Sequence, residues 1–363
     1  MNEKNSDHRG PKRVVVAMSG GVDSSVAALL LADAGFEVIG MMLRLWSEPG
    51  DCGQSNRCCT PQSVDDARRV AGILRIPFYI VNAEDAFKSA VVDNFVDEYA
   101  RGRTPNPCIA CNRQVRFKLL LERALTLAAD YLATGQYARI VAEDGIYHLL
   151  KGVDANKDQS YVLHVLGQQQ LSHVLFPLGD LTKPQVRALA RQRGLPVADK
   201  AESQDICFLA GSDHAAFVAT NANIPVRPGP ICDESGKVMG EHRGLSYYTV
   251  GQRHGLGLAT GMPLYVTLID AEHNALFVGP AESLLHRHLT LSSTSYVADV
   301  VPSAPFLCQV RLRYKAQEHA AVVTALPAGA AIVDFDEPQR PVSPGQAAVF
   351  YNDGEVLGGG IID

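Results

Sequence analysis

The sequence predicts an α/β protein: an N-terminal doubly wound parallel sheet, then a small β-rich central domain and a C-terminal β-barrel. Three observations carry that prediction. Apolar runs alternate with helical stretches through the first half of the chain, the pattern of a parallel sheet with helices on both faces. A glycine-rich turn joins the first apolar run to the first helical stretch. Beyond about Ile206 helical periodicity fades, and short β-type runs punctuated by Gly, Pro, Asp and Asn replace it.

The elements follow in order. Val14 to Met18 reads as a buried strand. Ser24 to Ala34 is rich in Ala and Leu and stops at Gly35, so it reads as a helix. Val38 to Leu45 is the next strand. Ser63-Val64-Asp65-Asp66 resembles a capping box opening a helix that runs to about Leu74. Phe78 to Val81 is a strand, 84–100 a helix, 101–111 a Pro-rich loop, 113–129 a helix, and Tyr131 to Thr134 a strand ending at Gly135. Thr182 to Arg193 is a further helix. The β-type runs are Leu264 to Ile269, Ala275 to Val278, Phe306 to Arg313, Ala320 to Thr324 and Ala347 to Tyr351. The division this gives is a frayed tail at 1–12, a nucleotide-binding catalytic domain at 13–205, a central β-rich domain at 206–285 and a β-barrel at 286–363.

Composition narrows the class. The chain has 363 residues, 47% of them hydrophobic, which is enough for sizeable cores. No apolar run approaches the roughly 18 residues of a membrane span, and the polar first residues lack the apolar core of a signal peptide. The expected location is the cytoplasm, with no membrane partner. The eight cysteines are then read as reactive thiols, metal ligands or buried side chains rather than structural disulfides. A net charge of −6 does not advertise nucleic-acid binding, yet a local basic face can supply it.

Ser19-Gly20-Gly21-Val22-Asp23-Ser24-Ser25 lies between the first strand and the first helix. The glycines let backbone approach an anion, and the free N–H groups at the helix start point toward it. Asp23 would repel phosphate directly, so its role is read as holding a magnesium ion that bridges the phosphates. The string is not a Walker A sequence. It resembles the signature of the PP-loop ATP pyrophosphatases, which adenylate a substrate and release pyrophosphate. In a parallel sheet ligands bind beyond the carboxyl ends of the strands, where this loop, Leu43 and Gly135 all fall.

Thr104-Pro105-Asn106-Pro107-Cys108-Ile109-Ala110-Cys111-Asn112 is a stiff loop ahead of a helix. Cys111 is placed at the helix start near Arg113 and Arg116, surroundings that favour thiolate. A Cys-x-x-Cys pair also permits a metal or iron–sulfur site. Ser203-Gln204-Asp205-Ile206-Cys207-Phe208 sits at the junction between the α/β and β-rich parts, where substrate clefts form. From Arg101 to Arg123 there are six cations (Arg101, Arg103, Arg113, Arg116, Lys118 and Arg123) and one anion, Glu122. Such a basic unit suits a phosphate backbone. Gly255 to Gly261 is read as a turn or loop. Cys52, Cys58 and Cys59 stand in a polar stretch and carry no assignment.

With these motifs in this order, residues 12–363 resemble the bacterial tRNA-specific 2-thiouridylases. The resemblance implies ATP-dependent replacement of the 2-oxygen of the wobble uridine of tRNAs for Lys, Glu and Gln by sulfur. It implies an ATP site at Ala17, Met18, Ser19, Gly20, Gly21, Val22, Asp23, Ser24, Leu43 and Gly135. It implies a nucleophile at Cys111 and a persulfide carrier at Cys207, charged by a sulfur-donor protein. It matches Asn106, Pro107 and Cys108 to the segment at the target base. Gln136, Lys157, Asp158, Gln159, Arg313, Tyr314 and Gln346 match tRNA contacts, with Gln136 standing where many members have His. The residue chemistry agrees, because adenylation turns a carbonyl oxygen into a leaving group and a persulfide delivers sulfur without free sulfide. The terminal sulfur attacks the activated carbon and Cys111 resolves the product as a disulfide, or Cys111 attacks the persulfide and releases sulfide in a closed site. The target base must leave its stack to reach either thiol.

Overall fold

A computed structural model describes residues 10–46, 60–202, 206–209, 214–222, 226–259, 261–340 and 342–363. Cys52, Cys58, Cys59, Ser203, Gln204 and Asp205 lie outside the described residues, as does most of the predicted tail.

The first layer is a parallel sheet of β1 (Arg13–Ala17), β2 (Glu37–Arg44), β3 (Phe78–Asn82), β4 (Tyr131–Ala133) and β7 (Val174–Leu175), in the order β3-β2-β1-β4-β7. β1 is central because it is apolar on both sides. Val15 faces one core, with Leu132, Phe117 and Tyr161, while Val14 and Val16 face the other, with Val26, Ala27 and Val186. All three valines are fully buried, each worth roughly 1.5–3 kcal/mol against an exposed side chain. Helix α1 (Val22–Asp33) follows β1, and α2 (Pro61–Leu74) follows β2. The cap of α2 is Thr60, whose hydroxyl accepts from the Ser63 N–H at 3.0 Å. The helix therefore begins ahead of Ser63, contrary to the capping box read there.

Residues 84–100 are helical as expected. The expected 101–111 loop is shorter than predicted, for the next helix starts at Pro107 and runs through 107–126. Asn106 caps it and Pro107 occupies its first position, where a missing N–H costs nothing. From Cys111 to Leu120 this helix widens to π winding, a form found mostly at functional sites.

The central domain is a four-stranded sheet in the order β10-β11-β8-β9, built from β8 (Gly229–Asp233), β9 (Val238–His242), β10 (Tyr265–Asp270) and β11 (Ala275–Gly279). The Gly255 segment is irregular, as read. The C-terminal unit joins β12 (His286–Tyr296), β13 (Phe306–Arg311), β14 (Glu318–Leu326), β15 (Ala330–Gln339), β16 (Ala347–Asn352) and β17 (Glu355–Ile362) in the order β12-β15-β14-β13-β16-β17. Pairing of β12 with β17 closes it into a barrel.

One feature was not foreseen. Residues 138–151, inside the segment assigned to the catalytic domain, form a hairpin of β5 (Ala138–Glu143) and β6 (Ile146–Lys151), and β6 pairs with β17. Leu149 and Val356, register partners, are fully buried in the core that also holds Val15. The first sheet and the barrel therefore share one core. No helix among the described residues is long and apolar enough to cross a membrane.

Candidate active site

Two groups of predicted residues gather beyond the carboxyl ends of the parallel strands. The first is the glycine loop. Gly20 adopts φ +69°, and a Cβ there would fall 2.2 Å from the Ser63 carbonyl oxygen. Only glycine lets α2 approach so closely. Gly135 is also tight against the helix start, where a Cβ would lie 2.6 Å from the Ser24 nitrogen. The Ser19 N–H donates to Ser24 Oγ at 3.1 Å, and Ser25 Oγ donates to the Gly21 carbonyl at 2.8 Å, so the loop is braced from within. Ala17 and Leu43 lie at the ends of β1 and β2 and pack against the same core, while Met18 and Val22 are buried in the opposite one.

Asp23 is partly exposed and already paired. Lys183, largely buried at the start of the Lys183–Gln192 helix, donates to both its oxygens at 2.7 and 2.8 Å, and the Tyr137 hydroxyl donates at 2.8 Å. Burial first, then the Asp23 charge, pushes the Tyr137 hydroxyl well above its ordinary range. Lys183 also pairs with Glu202 at 3.1 Å, and Glu202 with Lys157 at 2.5 Å. Burial raises the Glu202 carboxyl, but the bonds from Lys157 and Lys183 outweigh it and hold the group below its usual value. Lys200 donates to the Gly20 carbonyl at 2.9 Å and to Asp66 at 2.7 Å. Lys183, Lys200, Glu202 and Tyr137 were all missed in the sequence. Lys200 and Glu202 had a signal, for they immediately precede the Ser203 motif; Lys183 and Tyr137 had none.

The second group is the thiols. Cys111 and Cys207, distant in sequence, pack in one cluster with Val115, Phe208 and Phe217. Leu43 touches the same cluster and so links it to the loop end of the sheet. Cys108 is close enough for its charge and that of Cys207 to act on Cys111. Cys207 is half-buried, Cys108 reaches solvent and Cys111 is buried, all as free thiols.

The thiolate expected at Cys111 is corrected by this environment. Cys111 stands a full turn inside its helix, not at its start, and burial pushes its thiol up to about 12 although Arg116 pulls the other way. Cys108 touches water but is crowded by protein. Burial and the Cys207 charge raise its thiol to about 11 against the pull of Arg116. Among the described residues no three His, Cys, Asp or Glu side chains form a group that could hold a metal ion.

The remaining predicted residues surround these groups. Asn106 Oδ1 accepts from the Cys108 N–H at 3.1 Å. Tyr314 feels the Cys108 charge and lies tilted against the Tyr161 ring at 6.2 Å, so the barrel reaches the thiols. Arg313 donates to Ser343 Oγ at 2.8 Å, and burial lowers its pKa. Gln136 is buried and bonded to Thr134 at 3.1 Å. Gln159 accepts from the Tyr137 N–H at 3.1 Å. Asp158 is buried and accepts from Gly152, Ser160 and Arg311, leaving its side chain turned inward. Gln346 donates to the Thr104 carbonyl at 2.7 Å, fastening the Pro-rich loop to the barrel.

Family models match three segments: a tRNA methyl transferase HUP domain at 12–211, a tRNA methyl transferase PRC-barrel domain at 217–280 and an aminomethyltransferase beta-barrel domain at 286–362. Full-length relatives carry one name, tRNA-specific 2-thiouridylase MnmA. The protein of Moorella thermoacetica is 50% identical over 96% of this chain and 99% of its own length. That of Chloroflexus aurantiacus is 49% identical over 96% and 98%, and that of Clostridium perfringens 44% identical over 97% and 98%. Among solved structures, a 4-thiouridine synthetase in complex with RNA and ATP is 18% identical, covers 56% of this chain and 46% of its own, and has a TM-score of 0.36. That likeness is too loose to carry an argument.

Proposed function

The chain belongs to the tRNA-specific 2-thiouridylase family, and from that premise we propose how its own residues perform the reaction. It is a tRNA sulfurtransferase that forms 2-thiouridine. The full-length relatives decide for thiolation over the methyl transfer named in the domain models. The observation that carries the residue assignment is the packing of Cys111 and Cys207 in one cluster that Leu43 joins to the ATP loop.

ATP lies on the loop from Ala17 to Ser24, with Leu43 and Gly135 beside it. The substrate is the wobble uridine of tRNAs for Lys, Glu and Gln. Its O2 attacks the α-phosphorus, and pyrophosphate leaves toward the helix N–H groups of α1. A persulfide on Cys207, charged by a sulfur-donor protein, then attacks C2 through its terminal sulfur and AMP departs. Cys111 attacks Cys207 Sγ, so the sulfur–sulfur bond breaks to leave the thiocarbonyl on the base and a Cys111–Cys207 disulfide. An external dithiol takes up that oxidation by reducing the disulfide. Cys207 suits the carrier role because it is the more accessible of the two. Cys111 suits the resolving role because, buried and protonated, it stays quiet until base and RNA reorganise its surroundings.

Asn106, Pro107 and Cys108 face the target base, and Lys157, Gln159, Arg313, Tyr314, Gln136 and Gln346 serve the tRNA side. Asp158 contributes through backbone, since its carboxylate is consumed internally. Asp23 is a single carboxylate beside a phosphate cradle and would hold a magnesium ion if Lys183 were displaced from it. Magnesium there would offset charge on the departing pyrophosphate. An iron–sulfur cluster finds no ligand set among the described residues, where no three His, Cys, Asp or Glu side chains form a group that could hold a metal ion. Catalysis takes place in the cytoplasm.

The test is thiolation of undermodified tRNA with ATP and a persulfide donor, read by mass analysis of anticodon nucleosides. Cys207→Ser should abolish 2-thiouridine while ATP binding persists. Normal thiolation by that variant would remove the persulfide role.

A further inference from the structure

The Pro-rich loop, the 94–100 helix, the 107–126 helix and the barrel enclose a recess of about 500 Å³. Its walls include Asn94, Asn106, Arg113 and Gln114, with Ser292 and Ser293 from β12. Arg101, Arg103 and Glu98 complete its charged lining. Cys111, on the same 107–126 helix, packs instead into the Phe208 cluster. The recess is therefore a second concavity beside the thiol site.

The charges in it are unequal. Arg103 is spoken for, donating to Glu98 at 2.7 Å and to the Ile362 carbonyl at 3.0 Å. Arg101 leans on the same carboxylate at 3.7 Å. One acid thus serves two guanidiniums. Arg113 is half-buried and has no hydrogen-bond or ion-pair partner among the described residues. Burial lowers its pKa, and its charge helps to depress that of the neighbouring buried His164. A half-buried cation with no counter-ion among the described residues gives up part of its hydration without a partner in return. Its retention in a polar recess is the mark of a place held ready for an anion.

The walls are also rigid. The Thr104 N–H donates to the Pro344 carbonyl at 2.7 Å, Gln346 donates to the Thr104 carbonyl at 2.7 Å, and Arg103 holds Ile362. These bonds fix the loop to the barrel, so the recess exists before any ligand arrives. A guanidinium in a preformed, half-open polar recess matches the geometry of a phosphate oxygen pair.

We propose that this recess is a phosphate subsite in which Arg113 grips one phosphodiester of the bound tRNA strand. The assignment rests on the tRNA reading above. It positions the strand on one side of the 107–126 helix while Cys111 works on the other.

The experiment measures tRNA affinity against KCl for the full chain, its Arg113→Gln and Arg113→Lys variants, and Gln114→Glu at an exposed position on the same wall. Thiolation by the wild type in the same preparation tests the tRNA function separately. Arg113→Gln should flatten the log–log salt slope by about 0.9 and weaken binding roughly tenfold at low salt. Arg113→Lys should keep the slope, and Gln114→Glu should weaken binding in the same direction as Arg113→Gln. An active wild type beside an Arg113→Gln variant with unchanged affinity and slope overturns the subsite alone. Titration of inorganic phosphate into tRNA-free protein supplies the other arm. If Arg113→Gln removes phosphate binding and leaves tRNA binding intact, the recess serves a free phosphate and the phosphodiester assignment falls.

Discussion

Lys183 donates to both carboxylate oxygens of Asp23, at 2.7 and 2.8 Å, across 160 residues of chain. The pair joins the start of one helix to the phosphate loop at the start of another, and through Glu202 it extends to Lys157. A loop meant for a polyphosphate carries a carboxylate, and this ammonium neutralises it.

Lys183→Met leaves Asp23 with the Tyr137 hydroxyl as its one side-chain partner among the described residues. In magnesium-free buffer an approaching polyphosphate then meets an anion with no cation beside it. The ATP dissociation constant should rise about tenfold, equivalent to about 1.4 kcal/mol. Lys183→Met combined with Asp23→Asn should recover much of that loss, as coupled neighbours do in a double-mutant cycle. Calorimetric titration of the four proteins checks it, and equal affinity in Lys183→Met and wild type would refute the neutralising role.

Gly135→Ala places a Cβ 2.6 Å from the Ser24 nitrogen and 2.7 Å from the Asp23 carbonyl carbon. Both are backbone atoms, so no side chain can swing aside. The start of α1 must shift, at a cost of about 1–3 kcal/mol. ATP affinity should fall with stability, because the displaced N–H groups are those aimed at phosphate. Urea unfolding and ATP titration on one sample read both effects.

These two cases show what was legible. The parallel sheet, the glycine loop, the two thiols that share the Phe208 cluster and the β-rich remainder follow from apolar runs, spacing and composition, which are local signals. The partners of Asp23 and the brace of Gly20 are not local. Lys183 sits in an ordinary Thr-Lys-Pro helix start, and only the fold carries it to the loop. The thiolate expected at Cys111 failed for a related reason. Sequence showed the arginines near it, whereas Phe208 and Phe217, which help to bury it, come from a part of the chain about a hundred residues further on. The inward turn of Asp158 depends on Arg311, a residue of the barrel.

The raised Cys111 thiol gives a pH dependence with a definite sign. Its folded pKa of about 12 lies above the ordinary thiol range. Its contribution to stability is therefore complete below about pH 8.5 and is lost as pH rises toward 12. Cys111→Ala should show a smaller drop in urea midpoint between pH 7.5 and 10 than the wild type. In the same range, alkylation of RNA-free protein should mark Cys207 well before Cys111. A Cys111 that alkylates at neutral pH as fast as Cys207 would show that its burial does not protect it.

The hairpin of β5 and β6 also sets a timetable for manufacture. Its second strand, β6, is completed only by β17, which the ribosome makes long afterwards, and the Tyr161 hydroxyl waits for the Ala347 carbonyl that it meets at 2.8 Å. Domains made early in synthesis generally fold early, but this one keeps an open seam through Leu149 until the closing strand emerges. A nascent chain can shape its glycine loop while the wall between loop and barrel is still missing. The need for chaperone cover therefore falls late in translation, and the finished wall beside the thiol cluster is among the last things the chain acquires.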